Sequence, residues 1–308
     1  MTDAQLNTTV KIGKLTLRNP VMTGSGTFGF GNEMAPVIDL SRLGACVVKS
    51  TSREVRKGNP TPRIVEVSSG ILNAIGLQNG GIDNFINEKL PFLQQIDVPI
   101  IVNLVGYEVA DYVYLAERLT EAGGVHGLEI NISCPNVKHG CDFAVDPKLT
   151  FELLTALRKV TDLTLITKLS PNVTDVVSIA RAAADAGSDA LSLINTLLGT
   201  SIDIRRRKFR LANITGGLSG PAVKPIALRL VWQVHNALPN IPLVGMGGIM
   251  TGADAIEFIL AGATAVAVGT ATFVNPKATL DVVDGIEQYM REFGVTDINE
   301  LVGAVTAR

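Results

Sequence analysis

The segment GLEINISCPNVK, residues 127–138, holds the features around which the rest of the chain is arranged. Its first half, residues 128–132, is predicted to be a short buried strand. Its second half is polar, with the thiol of Cys134 and two carboxamides on either side of Pro135. Proline cannot donate a hydrogen bond to a sheet, so the strand must end there. Groups that hydrogen-bond and move protons at a strand end indicate an active site, although an ordinary polar turn is the alternative for this segment taken alone.

Similar apolar runs recur along the chain and alternate with helical patterns. The runs are apolar at consecutive positions, as expected for parallel strands buried on both faces. Eight strand–helix units fit an α/β fold of the (β/α)8 TIM-barrel type, which needs roughly 250 residues. A doubly wound open sheet is the structural rival. The predicted strands are residues 21–23, 45–48, 100–104, 128–132, 163–169, 190–194, 241–244 and 265–268, and the predicted helices are 109–122, 147–160, 174–186, 222–237, 251–261 and 276–293.

We expect one domain, residues 1–308, with a β-hairpin at residues 8–19 ahead of the barrel. Two long loops, residues 50–81 and 197–221, are expected on the C-terminal face, where such loops usually shape or cover a site. A mobile, exposed insertion is the alternative. The basic run RRRK at 205–208 is predicted to be a solvated surface, and its role is not defined by the sequence.

Composition excludes several classes of protein. The 27 basic and 29 acidic side chains nearly cancel, which argues against a nucleic-acid-binding surface. No apolar run is long enough to span a bilayer, and the first residues lack the features of a secretory signal. Three cysteines are too few for a disulfide framework, so we expect a reduced, cytoplasmic setting. The three histidines are scattered, which predicts no metal site, and Cys46 in an apolar strand is predicted to be a core residue.

Polar side chains close several predicted strands at the end where barrel enzymes place their functional groups. A single lysine there could simply extend to solvent. Two lysines and three asparagines at one end of the barrel are harder to explain by packing. These residues are Lys49, Asn103, Asn131, Lys168 and Asn195.

A phosphate site is predicted after the last two strands. Gly247 and Gly248 follow the seventh strand, and Gly269 and Thr270 follow the eighth. Glycines expose backbone N–H groups, and the helix predicted to begin at Thr251 adds partial positive charge at its N-terminus. Phosphate sites recur at this position in barrels. The pattern does not indicate which phosphate compound binds.

Taken together, the motifs resemble class 1 dihydroorotate dehydrogenase over nearly the whole chain. The active-site cysteine distinguishes this class from class 2, which has serine there, and NAIGLQN and NISCPNVK are more similar to subtype B than to the fumarate-using subtype A. The chain departs from the family pattern at Cys141, where glycine is more usual, and at Phe143 and Ala144, where Phe-Gly is more usual; these changes affect no expected catalytic group. The matching motifs are NPVMTGSGTFGFG (19–31), VVKSTS (47–52), GNPTPR (58–63), NAIGLQN (73–79), NISCPNVKHG (131–140), LITKLSPNV (165–173), INT (194–196), GGLSGPAVKP (216–225), GMGGI (245–249) and VGTA (268–271).

The resemblance implies oxidation of dihydroorotate to orotate in pyrimidine (UMP) biosynthesis, with FMN as the hydride acceptor. It implies that Cys134 is the general base, and a thiol, with an ordinary pKa of about 8.5, can serve as one near neutral pH. Lys168 is expected near flavin N1 and O2, where negative charge develops. The implied substrate-binding residues are Lys49, Asn73, Ala74, Ile75, Gly76, Leu77, Asn131, Asn195 and Thr196. The implied FMN-binding residues are Ser25, Lys49, Ser50, Asn103, Asn131, Lys168, Ile194, Gly220, Gly247, Gly248, Gly269 and Thr270.

Subtype B also implies a partner. Three scattered cysteines cannot hold an iron–sulfur cluster. The resemblance implies an electron-transfer subunit that carries FAD and an iron–sulfur cluster, NAD as final acceptor, and a homodimer of this chain flanked by two such subunits. Three alternatives remain at this point: a subtype A enzyme, a flavin subunit similar to dihydropyrimidine dehydrogenase, and a non-catalytic barrel that binds phosphorylated ligands.

Overall fold

The computed structural model describes residues 6–133 and 143–306. Strands and helices alternate through most of this range, as the sequence predicts. In chain order the strands are β1 (Val10–Ile12), β2 (Leu15–Leu17), β3 (Val21–Thr23), β4 (Cys46–Thr51), β5 (Ile64–Val67), β6 (Gly70–Asn73), β7 (Ile100–Leu104), β8 (Gly127–Asn131), β9 (Thr164–Lys168), β10 (Ala190–Leu193), β11 (Leu197–Thr200), β12 (Ile202–Asp203), β13 (Lys208–Phe209), β14 (Thr215–Ser219), β15 (Leu243–Met246) and β16 (Ala265–Val268).

Eight parallel strands form a closed barrel, which confirms the predicted (β/α)8 fold. Their order is β3-β16-β15-β10-β9-β8-β7-β4. The two terminal strands of that order meet at a parallel bridge between Met22 and Ala45. The Thr23 hydroxyl strengthens this seam, because it donates to the Val47 carbonyl at 2.9 Å and accepts from the Val47 N–H at 2.8 Å. All eight carboxyl ends therefore lie at one end of the barrel, called here the C-terminal rim.

The barrel helices begin where the sequence places capping residues. Asp146 accepts from the N–H groups of Lys148 and Leu149, and Asp175 accepts from those of Val177 and Ser178. These carboxylates satisfy N–H groups that lack partners within the helix. Phe85–Lys89 is a π-helical segment between the first two helices. The helices are α1 (Gly81–Asn84), α2 (Leu90–Leu93), α3 (Val109–Ala122), α4 (Pro147–Arg158), α5 (Val176–Asp185), α6 (Lys224–Ala237), α7 (Gly252–Leu260), α8 (Ala271–Val274) and α9 (Ala278–Phe293).

Several predicted strands differ from the structure by one to three residues at their ends, and two of these differences have a clear physical reason. The seventh barrel strand begins at Leu243 rather than at 241, because Pro242 has no N–H to donate. The second barrel strand continues through Lys49 and Ser50 to Thr51, although the apolar run stops at Val48. The Ser50 side chain is buried in the barrel and bonded there, so it does not end the strand.

The β1–β2 hairpin lies at the opposite end of the barrel from the C-terminal rim. The Lys14 N–H donates to the hydroxyl of Thr164, the first residue of β9, at 3.2 Å. A Cβ added at Gly13 would lie 2.6 Å from the Asp189 Cβ, so this turn requires glycine. The predicted hairpin is confirmed, and it leaves the C-terminal rim open.

The two long loops do not form a mobile insertion. They contribute the antiparallel sheet β11-β14-β6-β5, with a small buried core of Val65, Leu72, Ala74 and Leu211. This sheet lies over the C-terminal rim. The predicted solvated surface is confirmed for the basic run, because residues 205–208 are all exposed where β12 turns into β13.

No helix in the part of the chain that the structure describes is long and apolar enough to cross a membrane. The same part of the chain contains no group of three or more His, Cys, Asp or Glu side chains that could hold a metal ion.

Cys46 is a core residue, as predicted, and its chemistry can be tested directly. It is fully buried in β4, and burial raises the pKa of its thiol to about 12. Because the thiolate is the reactive form, Cys46 should react with a thiol reagent at pH 8 roughly a thousandfold more slowly than free cysteine. We expect wild type and Cys46→Ala to show the same number of labelled thiols when folded, and to differ by one in denaturant. One label fewer in folded Cys46→Ala would contradict this.

Candidate active site

A buried carboxylate, Glu129, lies at the centre of the polar residues inside the barrel and is 3% exposed. It accepts a hydrogen bond from the Asn103 amide at 2.6 Å and another from the Ser192 hydroxyl at 2.9 Å. The Lys168 ammonium lies 3.5 Å from the same carboxylate. We call these four side chains the Glu129 cluster. All three neighbours can donate to the carboxylate, and the lysine supplies the opposite charge that a buried carboxylate needs.

Strand register explains how the cluster forms. Asn103 is aligned with Glu129 across β7 and β8, and Ser192 is aligned with Lys168 across β9 and β10. Two FMN-site candidates extend the network. The Ser50 hydroxyl donates to the side-chain oxygen of Asn103 at 2.6 Å, and Lys168 donates to the Ser25 hydroxyl at 3.3 Å.

Glu129 and Ser192 are not among the residues predicted from the sequence. Residues 128–132 are predicted to be an apolar strand, although a glutamate stands inside it. Charged residues are almost never fully buried unless they are paired. An acidic residue inside a strand predicted to be buried on both faces was therefore a signal for a buried ion pair, and Lys168 was its available partner.

A second group of side chains links the ends of β8 and β10. The Asn195 amide donates to the side-chain oxygen of Asn131 at 3.2 Å, and the side-chain oxygen of Asn195 accepts from the Thr196 N–H at 2.8 Å. The Tyr112 hydroxyl donates to the Asn131 carbonyl at 2.7 Å. Asn172, to which the sequence analysis assigned no role, donates to the Thr196 carbonyl at 3.0 Å. The three predicted substrate residues Asn131, Asn195 and Thr196 are thus in one hydrogen-bonded set.

The sheet over the rim brings the Asn73–Leu77 segment to the same place. Asn73 is aligned with Gly217 of β14, and its amide donates to the Gly217 carbonyl at 3.3 Å. A Cβ at Gly217 would lie 2.0 Å from the Thr196 hydroxyl oxygen, so glycine allows the two segments to approach. Asn59 holds the segment from the other side, through its N–H to the Ile75 carbonyl and its amide to the Ala74 carbonyl, both at 3.0 Å.

Lys49 differs from Lys168 in its surroundings. It lies in β4 and is half-buried. Its ammonium makes no hydrogen bond or ion pair with another residue in the ranges 6–133 and 143–306. Of the two predicted rim lysines, Lys168 is thus held in the Glu129 cluster, and Lys49 can bind an anionic ligand.

The predicted phosphate residues converge at the ends of β15 and β16. Gly247 and Gly248 have φ of +124° and +83°, a conformation that favours glycine. A Cβ at Gly248 would lie 2.8 Å from the Lys224 Cβ and 2.9 Å from the Gly220 carbonyl oxygen. The backbone N–H groups of Gly247, Gly248 and Gly269 donate to no acceptor within the described ranges. These donors and this tight backbone fit a phosphate group.

Thr270 and Ile194 complete this end of the rim. The Thr270 hydroxyl donates to the Ser219 hydroxyl at 2.9 Å, next to Gly220. The Ile194 N–H donates to the Met246 carbonyl at 3.0 Å, which places Ile194 beside Gly247.

The N-terminus of α7, which is predicted to add positive charge at the phosphate site, is capped by a side chain of the same helix. The Asp254 carboxylate accepts from the Met250 and Thr251 N–H groups at 3.0 and 2.9 Å, and Lys224 donates to it at 2.6 Å. Burial alone would raise the pKa of Asp254, but the hydrogen bond from Lys224 and those from Met250 and Thr251 hold it below its usual value. The N-terminus of α7 therefore already has its own anion.

The predicted base, Cys134, lies outside the described residues, as does Cys141. The described strand β8 ends at Asn131, three positions before Cys134.

Comparison with known proteins agrees with this arrangement. The dihydroorotate dehydrogenase family model matches residues 7–290. A relative from Desulforamulus reducens named dihydroorotate dehydrogenase B (NAD(+)), catalytic subunit, is 57% identical over 97% of this chain and 99% of its own length. Proteins of the same name from Geotalea uraniireducens and Geotalea daltonii are 56% and 55% identical, over 96% and 98% of this chain and 97% and 99% of their own lengths.

The chain belongs to the dihydroorotate dehydrogenase family. The names of these relatives confirm the resemblance to subtype B that the motifs indicate.

Proposed function

We propose that this chain is the catalytic subunit of a dihydroorotate dehydrogenase that oxidises dihydroorotate to orotate in pyrimidine biosynthesis, with FMN bound in the barrel and NAD as the final acceptor. The observation that carries the proposal is the C-terminal rim itself. Lys49, the carboxamides and the glycine N–H groups lie together there, and neither the Lys49 ammonium nor those N–H groups bind another residue within the described ranges. The chain that carries them is a member of this family.

The carboxamides suit the substrate ring, which presents alternating N–H and C=O groups. Asn73, Asn131 and Asn195 each provide a donor and an acceptor, and Thr196 adds a hydroxyl. The backbone of Ala74, Ile75, Gly76 and Leu77 would surround the ring, held in place by Asn59. Lys49 would neutralise the carboxylate of the substrate. This arrangement orients dihydroorotate before any bond changes.

Cys134 would act as the base. In its thiolate form it takes the proton from C5 of dihydroorotate, while the hydrogen at C6 leaves with its electron pair and the C5=C6 double bond of orotate forms. FMN, when bound, supplies the acceptor for that hydride. Ser25, Ser50, Asn103 and Lys168 would hold it on the barrel side, and Lys168 would stabilise the negative charge that develops there. The phosphate end would be held by Ile194, Gly220, Gly247, Gly248, Gly269 and Thr270.

We further propose one FMN-binding domain for residues 1–308, in a cytoplasmic homodimer flanked by two electron-transfer subunits that carry FAD and an iron–sulfur cluster. The relatives are named as catalytic subunits of an NAD(+) enzyme, which supports a separate subunit for the reaction with NAD.

Replacement of the base should separate FMN binding from chemistry. We expect Cys134→Ala to retain FMN and to reduce it with dihydroorotate on the order of 10²–10⁴ times more slowly than wild type, because the proton acceptor is gone. Cys134→Ser should reduce FMN at a rate between those of wild type and Cys134→Ala, since a hydroxyl is a far weaker base than a thiol. Anaerobic stopped-flow absorbance of the flavin measures these rates. Cys141→Ala, which removes a thiol seven positions further along the chain, is the matched control, and a normal rate in Cys134→Ala would remove Cys134 from this role.

The phosphate end can be tested through flavin affinity. Gly248→Asp should weaken FMN binding on the order of 10²-fold, about 2.7 kcal/mol, because it brings a negative charge to the position of the phosphate. Gly248→Ala introduces the same Cβ contacts without the charge and should weaken binding less. Fluorescence titration of the apoprotein with FMN gives both dissociation constants. Wild-type affinity in folded Gly248→Asp would show that the phosphate binds elsewhere.

The partner can be tested with the purified chain alone. Dihydroorotate should bleach its flavin without oxygen, but NAD should not be reduced at a significant rate until the electron-transfer subunit is added. Efficient NAD reduction by the lone chain would contradict the partner proposal, and efficient fumarate reduction would indicate subtype A. If the chain binds FMN but dihydroorotate does not reduce that FMN, the proposed reaction is contradicted.

A further inference from the structure

Glu129 is a buried charge to which the proposed reaction gives no role. Its side chain is 3% exposed and that of Lys168 is 9% exposed, so water screens their interaction little. Glu129 touches both Lys168 and Asn103, the two residues proposed to hold FMN from β9 and β7. Glu129 therefore fixes the position of Asn103 and offsets part of the positive charge of Lys168.

The contacts of Lys168 show this coupling. Its ammonium lies between the Glu129 carboxylate at 3.5 Å and the Ser25 hydroxyl at 3.3 Å. Both contacts are longer than an ideal charge-assisted hydrogen bond, which is usually 2.7–2.9 Å. The lysine is held loosely enough to donate to a further acceptor, yet the carboxylate offsets part of its positive charge.

We propose that Glu129 is a positioning residue that holds Lys168 and Asn103 and lowers the reduction potential of bound FMN by offsetting the charge of Lys168. This inference rests on the proposed function, since it takes FMN to be the ligand. Reduction adds negative charge to the ligand, and a buried anion behind Lys168 makes that addition less favourable. Removal of the anion therefore makes reduction more favourable.

The cluster allows a substitution of nearly identical shape. In Glu129→Gln, the amide oxygen can still accept from Asn103 and Lys168, while the amide N–H donates to the Ser192 hydroxyl, which can also accept. We expect the equilibrium constant for FMN reduction to rise about tenfold, which is about 30 mV for a two-electron couple. Spectroelectrochemical titration of the FMN-loaded protein against a reference dye measures this shift.

Ser192→Ala is the matched control for disturbance of the cluster. It removes one neutral donor from the same carboxylate and keeps the charge, so the potential should move less, and in the opposite direction. An unchanged or lower potential in Glu129→Gln would overturn the proposal, as would an equal increase in Ser192→Ala. If wild type binds no FMN, the proposed function fails. If wild type binds FMN with dihydroorotate-dependent bleaching and the Glu129→Gln potential is unchanged, only the present inference fails.

A second measurement needs no flavin. Lys168→Met leaves the Glu129 carboxylate buried without its cation, whereas the double variant Lys168→Met/Glu129→Gln does not. We expect the flavin-free double variant to unfold at a higher temperature than Lys168→Met. A melting temperature equal to or below that of Lys168→Met would show that the two residues are not coupled and would overturn the proposal.

Discussion

The burial of one carboxylate inside the barrel constrains four neighbouring strands. An ionised carboxylate loses several kcal/mol of hydration when it leaves water, so it needs both opposite charge and hydrogen bonds. Glu129 on β8 obtains them from Asn103 on β7, Lys168 on β9 and Ser192 on β10. A slip of one residue in any of these strands would turn a donor away from the interior. The same side chain thus fixes strand register and presents Lys168 and Asn103 at the C-terminal rim.

The rim combines two kinds of recognition because a parallel barrel brings all its strand ends together. The strands β4 and β7–β10 present side chains, from Lys49 to Asn195, in a network of specific contacts. The strands β15 and β16 instead present backbone, where Gly247 and Gly248 adopt positive φ. A ligand with a polar ring at one end and a phosphate at the other needs both, and no single strand could supply them.

The sequence predicts the barrel well because each strand and helix of the barrel has a local signal. It predicts the covering sheet poorly because the strands of that sheet pair with distant parts of the chain. Apolar runs and capping residues such as Asp146 and Asp175 mark the elements directly. The contact between Asn73 and Gly217 joins residues 144 apart, and nothing in either short strand indicates the other. Thr251 followed by Asp254 is also a local signal, because it is the pattern of a capping box that satisfies N–H groups at the start of its own helix. Glu129 was visible as a charge in a buried strand, and only its partners required the structure.

The two rim lysines differ in a way that follows from what each would bind. Lys49 has no partner in the described chain, as suits a residue that meets an anion present before reaction. Lys168 has a buried carboxylate beside it. On the proposed function, its ligand changes charge during each turnover. A lysine with no anion beside it would stabilise the reduced ligand most strongly, and the electrons would stay on that ligand. Because Glu129 offsets part of that charge, electrons can both arrive from the substrate and leave toward an acceptor, which is what an enzyme that passes electrons onward requires.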